Sequence, residues 1–368
     1  MNIAITGASG FIGKNLIYNL ILDKKNKIFK IDRKTKKKKL NQILNKSDIL
    51  YHFAAVNRPT NLKKFKKDNV ELTKYICDYF LNNNLKKKII FSSSSQVKLN
   101  NPYGISKKKC ERILLKYAKL SGSHVYILRL PNIFGKWSKP NYNSVVSTFC
   151  YNIARDKKIY ISNPKNKVKL LYIDDLVNIL EKIKHYKNYI YKKKIYNIPP
   201  SKVISLKNLS KIIKEFSIKR KNLSISNVSS KFVKNLYSTY ISNLPKNKIV
   251  YKLKANKDSR GSFIEFLKTK NSGQFSIFVA KKNQVRGHHF HHSKVEKFFV
   301  IQGKARFVMK NISNNEKINF YLKENNPKVV ESIPGWEHYI KNIGNNDLVV
   351  LLWSNEIFDV NKPDTYRI

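Results

Sequence analysis

Apolar and polar positions alternate in two different ways along this chain. In the first half, short apolar runs at 3–6, 28–31, 49–54, 88–92 and 125–130 are bounded by turn residues and read as buried strands. Between them, segments such as 11–22, 72–82 and 106–120 repeat their apolar positions at helical spacing. Strands alternating with helices imply a doubly wound parallel sheet of the Rossmann type, with helices on both faces. The link from Asp32 to Ile49 has room for one helix and not for an additional strand.

Residues 205–240 read as Lys-rich helix, and the pattern changes near 245. Short strand-like runs follow at 276–280, 296–301, 306–310, 328–333 and 348–353, separated by Gly and Asn turns. That is the signature of an all-β sandwich or barrel. Two domains are therefore expected, 1–245 and 246–368, and 368 residues are enough for two cores.

Charge changes the picture less than its size suggests. Lys and Arg number 74 against 23 acids, a formal net charge of +51. The lysines are scattered in runs at 36–39, 63–64, 86–88, 107–109 and 192–194 rather than gathered on one segment. With Asn and Ile also abundant, this reads as AT-rich coding drift on solvated faces. No nucleic-acid-binding motif accompanies it, so no specific nucleic-acid partner is expected, although the field attracts anionic substrates. The three cysteines show no CxxC spacing, which points to a reducing compartment. The N-terminus lacks a signal peptide pattern and no apolar run is long enough to span a membrane, so a cytoplasmic protein is expected.

Candidate chemistry begins at residue 7. Gly7-Ala8-Ser9-Gly10-Phe11-Ile12-Gly13 follows a strand and opens a helix, the context of a dinucleotide-binding loop. Gly7 allows the tight turn, Gly10 lets the backbone approach a pyrophosphate, and Gly13 permits close packing of helix on strand. Phe11 and Ile12 start the helix whose N–H groups face the phosphates. Asp32, at the end of the second strand, suits ribose hydroxyls and NADH. Arg33 and the lysines behind it suit a 2′-phosphate and favour NADPH.

A second constellation lies farther on. Ser92-Ser93-Ser94-Ser95 ends the fourth strand, and Tyr103 and Lys107 form a YxxxK pair on one helical face. Ketone reduction needs a proton donor beside the incoming hydride. A tyrosine near an ammonium can supply it, while a serine hydroxyl polarises the carbonyl. YxxxK alone is common by chance in so Lys-rich a chain; its order after the Gly loop and the serine run gives it weight.

With Tyr51-His52-Phe53-Ala54-Ala55, Leu128-Arg129-Leu130-Pro131-Asn132-Ile133-Phe134-Gly135 and Tyr172-Ile173-Asp174-Asp175-Leu176, residues 1–245 resemble the extended short-chain dehydrogenase/reductases that act on nucleotide sugars. The resemblance implies that Ser94, the third serine, is catalytic with Tyr103 and Lys107. It places Ala54, Ala55 and Lys107 along the cofactor and Asn132 on the substrate. His52 is either a cofactor contact or, more commonly, core packing.

Of the eight histidines, four lie in Gly287-His288-His289-Phe290-His291-His292 and another is His338. Strand alternation would point His289 and His291 to one face and turn His288 and His292 away. With Glu296 and His338 they make a candidate divalent metal site, zinc foremost. The spacing of His289, His291, Glu296 and Gly303, followed by Gly335, His338 and Asn342, resembles the cupins, double-stranded β-helix barrels, although the usual spacer between Pro334 and Gly335 is missing. Asp258-Ser259-Arg260-Gly261 and Val285-Arg286-Gly287-His288-His289 also resemble deoxysugar-nucleotide 3,5-epimerases. In those enzymes His289 would be the base, a role in conflict with metal ligation. The metal is favoured and the base left open.

A reductase domain joined to a cupin, with the segment from Phe134 to Ser144, resembles the bifunctional capsular polysaccharide enzymes of the UDP-N-acetyl-L-fucosamine pathway. That resemblance implies C3 epimerisation of a UDP-linked 4-keto-6-deoxy amino sugar by the cupin. NADPH-dependent C4 reduction to UDP-2-acetamido-2,6-dideoxy-L-talose would follow. It makes Arg260 a candidate for the diphosphate or enolate, and a homodimer or larger homo-oligomer the expected assembly. A plain 4,6-dehydratase is disfavoured because Ser95-Gln96-Val97 lacks the Asp-Glu pair usual in dehydratases. A single-activity 4-epimerase or reductase with a non-catalytic cupin is a competing reading. So is a nucleic-acid binder whose cupin senses a sugar or a metal.

Overall fold

The computed structural model describes residues 1–57, 59, 61–186 and 195–367; the lysine run at 192–194 lies outside them. The chain divides into two compact units. The first comprises Met1–Lys214 and Val228–Pro245, the second Glu215–Asn227 and Lys246–Ile368.

In chain order the elements before the boundary are β1 (Asn2–Thr6), α1 (Phe11–Leu20), β2 (Lys27–Ile31), α2 (Lys37–Lys46), β3 (Ile49–His52), α3 (Leu72–Asn82), β4 (Lys88–Ser94), α4 (Pro102–Ser121), β5 (Val125–Leu130), β6 (Asn132–Phe134), α5 (Val145–Ala154), β7 (Lys167–Tyr172), α6 (Ile173–His185), β8 (Ile195–Asn197), β9 (Lys202–Ser205), α7 (Leu206–Lys221) and α8 (Lys231–Ile241). A six-stranded sheet has the order β2-β1-β3-β4-β5-β8, with every pairing parallel. Successive residues of β1 explain its two covered faces. Ile3 and Ile5 pack with Leu16 and Leu20 of α1 and with Leu176 and Leu180 of α6. Ala4 packs on the other side with Leu44 of α2, Phe80 of α3 and Leu114 of α4. Burial on both faces is what a parallel sheet requires, and it explains why its strands read as continuous apolar runs. The expected strand at 49–54 stops at His52, because the N–H groups of Phe53 and Ala54 both turn to the Thr6 hydroxyl, each at 3.1 Å.

Helix α4 starts earlier than its apolar periodicity suggests. Asn101 caps it by accepting from the Gly104 N–H at 2.7 Å, and Pro102 occupies the first turn. Tyr103 is therefore helical, one turn ahead of Lys107. Gly104 lies so close to the turn Ser95–Lys98 that a Cβ there would overlap the Gln96 carbonyl oxygen. Helix propensity would favour alanine by about 1 kcal/mol, but a backbone carbonyl cannot rotate away. Gly104→Ala is expected to cost about 1–3 kcal/mol net, read as a lower urea midpoint; an unchanged midpoint would show that the helix can shift freely.

The second unit carries β10 (Ala255–Asp258), β11 (Gly261–Thr269), β12 (Gly273–Ala280), β13 (Val285–His289), β14 (Glu296–Gln302), β15 (Lys304–Asn311), β16 (Lys317–Lys323), β17 (Val329–Glu331), β18 (Trp336–Asn342) and β19 (Leu348–Ser354). They form two antiparallel sheets, β10-β11-β12-β19-β14-β17 and β13-β18-β15-β16. One core joins them: Phe278, Phe298 and Val350 from the first sheet meet Ala305, Phe307 and Ile340 from the second. Residues 215–227, expected with the first domain, pack here instead. The Lys268 N–H donates to the Leu223 carbonyl at 2.8 Å, and Ser224 bridges to Lys268. Among the described residues no helix is long and apolar enough to cross a membrane.

Candidate functional site

In the first unit the candidate residues gather at the carboxyl ends of β1, β3 and β4. Gly7 has φ +67, and a Cβ on it would lie 2.8 Å from the Ala54 nitrogen. A Cβ on Gly13 would overlap the Gly7 carbonyl oxygen, so α1 can pack this tightly only with glycine there. Gly10 caps α1 without a side-chain hydrogen bond and leaves the first-turn N–H groups of Phe11 and Ile12 to an anion. The loop thus has the close-approach shape that a dinucleotide pyrophosphate needs.

At the end of β2, the Asp32 carboxylate accepts from the Lys34 N–H at 2.8 Å. Arg33 is 80% exposed and only loosely paired with Asp68 at 3.7 Å, so it can turn to a phosphate at little cost.

His52 is core. Its Nδ1 receives the Thr6 hydroxyl at 2.7 Å and its Nε2 donates to Thr73 at 3.0 Å, the Thr73 hydroxyl itself donating to the Asn69 carbonyl. Burial, then the nearby Lys107 charge, push its pKa down to about 3, so the ring is neutral. This network ties β1, β3 and α3 together, and its partners Thr6 and Thr73 carry no motif signal.

The serine run divides its labour. The Ser92 carbonyl accepts from Lys107 Nζ at 2.7 Å. Ser93 Oγ donates to Glu111 at 2.5 Å, and Glu111 is also held by Arg129 in a bidentate pair at 2.7 and 3.0 Å. Ser94 Oγ accepts from the Gln96 N–H at 3.1 Å, which leaves its hydroxyl hydrogen to donate. Lys107 is buried, with Nζ 4.5 Å from the Phe91 ring centroid. Burial lowers its pKa to about 8, against the opposing influence of Cys110 and Glu111. Burial, then Cys110 and Tyr142, push the Tyr103 phenol up to about 12. Asn132 stands apart from this group, exposed on β6, with its amide donating to the Lys169 carbonyl at 3.3 Å.

In the second unit, ligand atoms of His289, His291, Glu296 and His338 all lie within 4.8 Å of one another. The strand alternation expected of the histidines does not hold. β13 ends at His289 after a bulge, and His288 has a left-handed φ of +60. His288 stacks on Tyr339 and pairs with Glu337, while His292 packs against Phe290 and Tyr366, so both are kept from the cluster by their own contacts. His291 sits beyond the strand, its Nδ1 donating to the Asp364 carbonyl at 2.5 Å. That leaves an Nε2 lone pair 3.2 Å from Glu296 Oε2; His338 Nε2 lies 3.2 Å from the same oxygen. An imidazole lone pair and a carboxylate oxygen repel at that distance unless a cation or a proton sits between them. Burial would raise the Glu296 carboxyl, but the His291 and His338 rings beside it act the other way and hold it well below the usual carboxylate range. Burial, then His338, lower His289 to about 4. Three imidazoles and a carboxylate fit a divalent ion such as zinc.

The cluster opens into a cavity of about 390 Å³ walled by Phe263, Phe278, Phe298 and Leu352 and edged by Arg286 and Lys294. Arg260, the expected cation, does not line it. Its guanidinium is tied to Asp258 at 2.7 Å, and Asp258 also pairs with Arg286 at 3.3 Å. Arg286 faces the cavity because it sits on β13, ahead of the bulge. In the sequence it is merely one residue of the Val285–His289 motif, with nothing to single it out as the cavity's cation.

Three comparisons bear on this arrangement. A model described as the NAD dependent epimerase/dehydratase family matches residues 3–198, and one described as the polysaccharide biosynthesis C-terminal domain matches residues 256–366. The UDP-2-acetamido-2,6-beta-L-arabino-hexul-4-ose reductase of Pseudomonas aeruginosa is 41% identical over 366 residues, covering 100% of this chain and 98% of that protein. The crystal structure of the capsular polysaccharide assembling protein CapF from Staphylococcus aureus superimposes with a TM-score of 0.93 at 40% identity, covering 100% of both chains. UDP-glucose 4-epimerase of Thermotoga maritima shares the fold at 20% identity and a TM-score of 0.52, over 59% of this chain and 82% of that one. The chain is an enzyme and belongs to the NAD dependent epimerase/dehydratase family, with a polysaccharide biosynthesis C-terminal domain following that match.

Proposed function

We propose that this cytoplasmic chain is a two-step nucleotide-sugar enzyme. Its second unit, read as a cupin barrel, inverts C3 of a UDP-2-acetamido-2,6-dideoxy-4-keto-hexose. Its first unit then reduces the C4 ketone with NADPH to UDP-2-acetamido-2,6-dideoxy-L-talose, for capsule or O-antigen synthesis. The observation that carries this reading is the presence in one chain of the Ser94, Tyr103 and Lys107 group and the three-histidine, one-carboxylate cluster, whose members are buried except half-buried His289. The activity for which the Pseudomonas aeruginosa relative is named, reduction of a 4-keto sugar nucleotide, supports the second step.

In the reductase unit a nicotinamide cofactor held at the Gly7–Gly13 loop would supply the hydride for C4. The Tyr103 phenol donates the proton to the C4 oxygen, and Ser94 Oγ–H polarises that oxygen. Lys107, as an ammonium, lowers the cost of charge on Tyr103 and can reach the cofactor ribose. In the second unit a bound ion would supply positive charge against the enolate oxygen formed when the acidic C3 proton leaves. His289, His291, Glu296 and His338 would hold it, and Arg286 and Lys294 add fixed positive charge at the cavity edge.

Oxidation of NADPH by the purified chain on addition of the UDP-linked 4-keto-6-deoxy amino sugar tests the proposal. No oxidation with this substrate would overturn it.

The pH dependence follows from the two shifts. Tyr103 stays protonated up to about 12, so the acid is available throughout. Lys107 loses its proton above about 8, so kcat/KM for reduction should be level below that pH and decline above it. A profile that stays flat far above that point would contradict the role given to the ammonium.

A further inference from the structure

The loop that carries His291 is not shaped by its own strand. β13 ends at His289 and β14 begins at Glu296, so the residues between them lie outside both strands. A segment more than sixty residues away supplies what they lack. The Asp364 carboxylate accepts from the His292 N–H at 2.9 Å, the Ser293 N–H at 2.9 Å, the Ser293 hydroxyl at 2.9 Å and the Lys294 N–H at 2.8 Å. Phe290 and Tyr366 exchange backbone hydrogen bonds at 2.9 and 3.0 Å. Lys294 Nζ donates back to the Pro363 carbonyl at 3.1 Å and the Thr365 hydroxyl at 2.8 Å, and both Lys294 and Thr365 face the cavity.

The same segment sets the chemistry of His291. Its Nδ1–H is committed to the Asp364 carbonyl, which fixes the tautomer and turns Nε2 to Glu296. A ligand imidazole usually has its second nitrogen held in this way, and that hold governs both orientation and basicity. Asp364 adopts φ +33, a left-handed conformation that costs a non-glycine residue energy and persists only where surrounding contacts impose it. Carboxylate and carbonyl serve opposite roles from one residue, one ordering the loop and the other the ring.

We infer that Asp364 is a positioning residue of the metal centre: through its carbonyl it orients His291, and through its carboxylate it fixes the loop from which His291 projects. The inference rests on the metal reading of the histidine cluster. It makes two demands. Metal affinity must depend on a residue that is not itself a ligand, and the coordination environment must change when that residue changes.

Both are read on the full chain carrying Asp364→Asn and on a chain stopped after Lys362. Zinc affinity is measured by competition with a chromophoric chelator, and the visible absorption of the cobalt(II)-loaded protein reports ligand geometry. The asparagine keeps the backbone carbonyl but turns an amide N–H₂ toward donors. A fall in zinc affinity on the order of 10–100-fold is expected, with a weakened and shifted cobalt spectrum. The truncated chain should lose more, because the carbonyl goes as well. NADPH binding to the reductase unit and the far-ultraviolet circular dichroism establish that each variant is folded; if the truncated chain is not, Asp364→Asn decides. Parental zinc affinity and an unchanged cobalt spectrum in folded Asp364→Asn would overturn the inference alone. Absence of zinc binding by the parent chain would overturn the metal reading and this inference with it.

Discussion

Tyr103→Phe should lower NADPH-dependent ketone reduction by about 10²–10⁴-fold while leaving NADPH binding intact. In the proposed mechanism the phenol gives its proton to the oxygen that the Ser94 hydroxyl polarises. Nothing structural should follow from its loss: the ring keeps its 6.2 Å contact with Phe65, and the helix remains capped by Asn101 and started by Pro102. The loss should therefore fall on kcat, with the substrate KM little changed, because the hydrogen bond matters most as negative charge develops on the C4 oxygen. Exchange of the C3 proton in the second unit should be untouched. A variant that still reduces the ketone at the parental rate would remove Tyr103 from the chemistry. One that also loses C3 exchange would mean that the two steps are not separate.

Glu296→Gln should have the complementary effect. The carboxylate is buried, and two imidazole nitrogens approach one of its oxygens at 3.2 Å. An amide in its place removes the one negative charge among the four candidate ligands of a divalent ion. Zinc binding should weaken by at least the 10–100-fold seen for partners of metal ligands, about 1.4–2.7 kcal/mol. C3 deuterium exchange should fall with it, while reduction of an already inverted ketone persists. Retained exchange in the metal-free variant would assign the inversion to side chains acting without an ion.

The two units are unequally legible in the sequence, for a physical reason. A parallel sheet buries both faces, so Ile3, Ala4 and Ile5 are all apolar and β1 reads directly as a strand. Glycines 7, 10 and 13 are legible because a side chain at each would meet backbone atoms. The strands around the cavity lack that clarity. Glu265, Gln274, Ser276 and Arg286 line the cavity as polar residues, so β11, the start of β12 and β13 do not alternate as half-buried strands should. β16 carries little signal because Leu322 is its one buried residue. The histidine cluster is visible as residue types, but strand alternation is the wrong reason for it: a bulge and a left-handed His288 redirect the chain before His291. Asp364 leaves no local signal, since its partners lie 70 to 73 positions away. Arg260 and Arg286 look equivalent in sequence, and both pair with Asp258, but only Arg286 lines the cavity.

The most direct measurement is the isotopic pattern of the product formed by the full chain from the UDP-linked 4-keto-6-deoxy amino sugar and NADPH in deuterated buffer. Mass spectrometry and proton NMR should find deuterium on C3, from the solvent, and protium on C4, from NADPH, in a talo-configured product. A reduced product that carries no deuterium on C3 and keeps the substrate's C3 configuration would contradict the two-step reading.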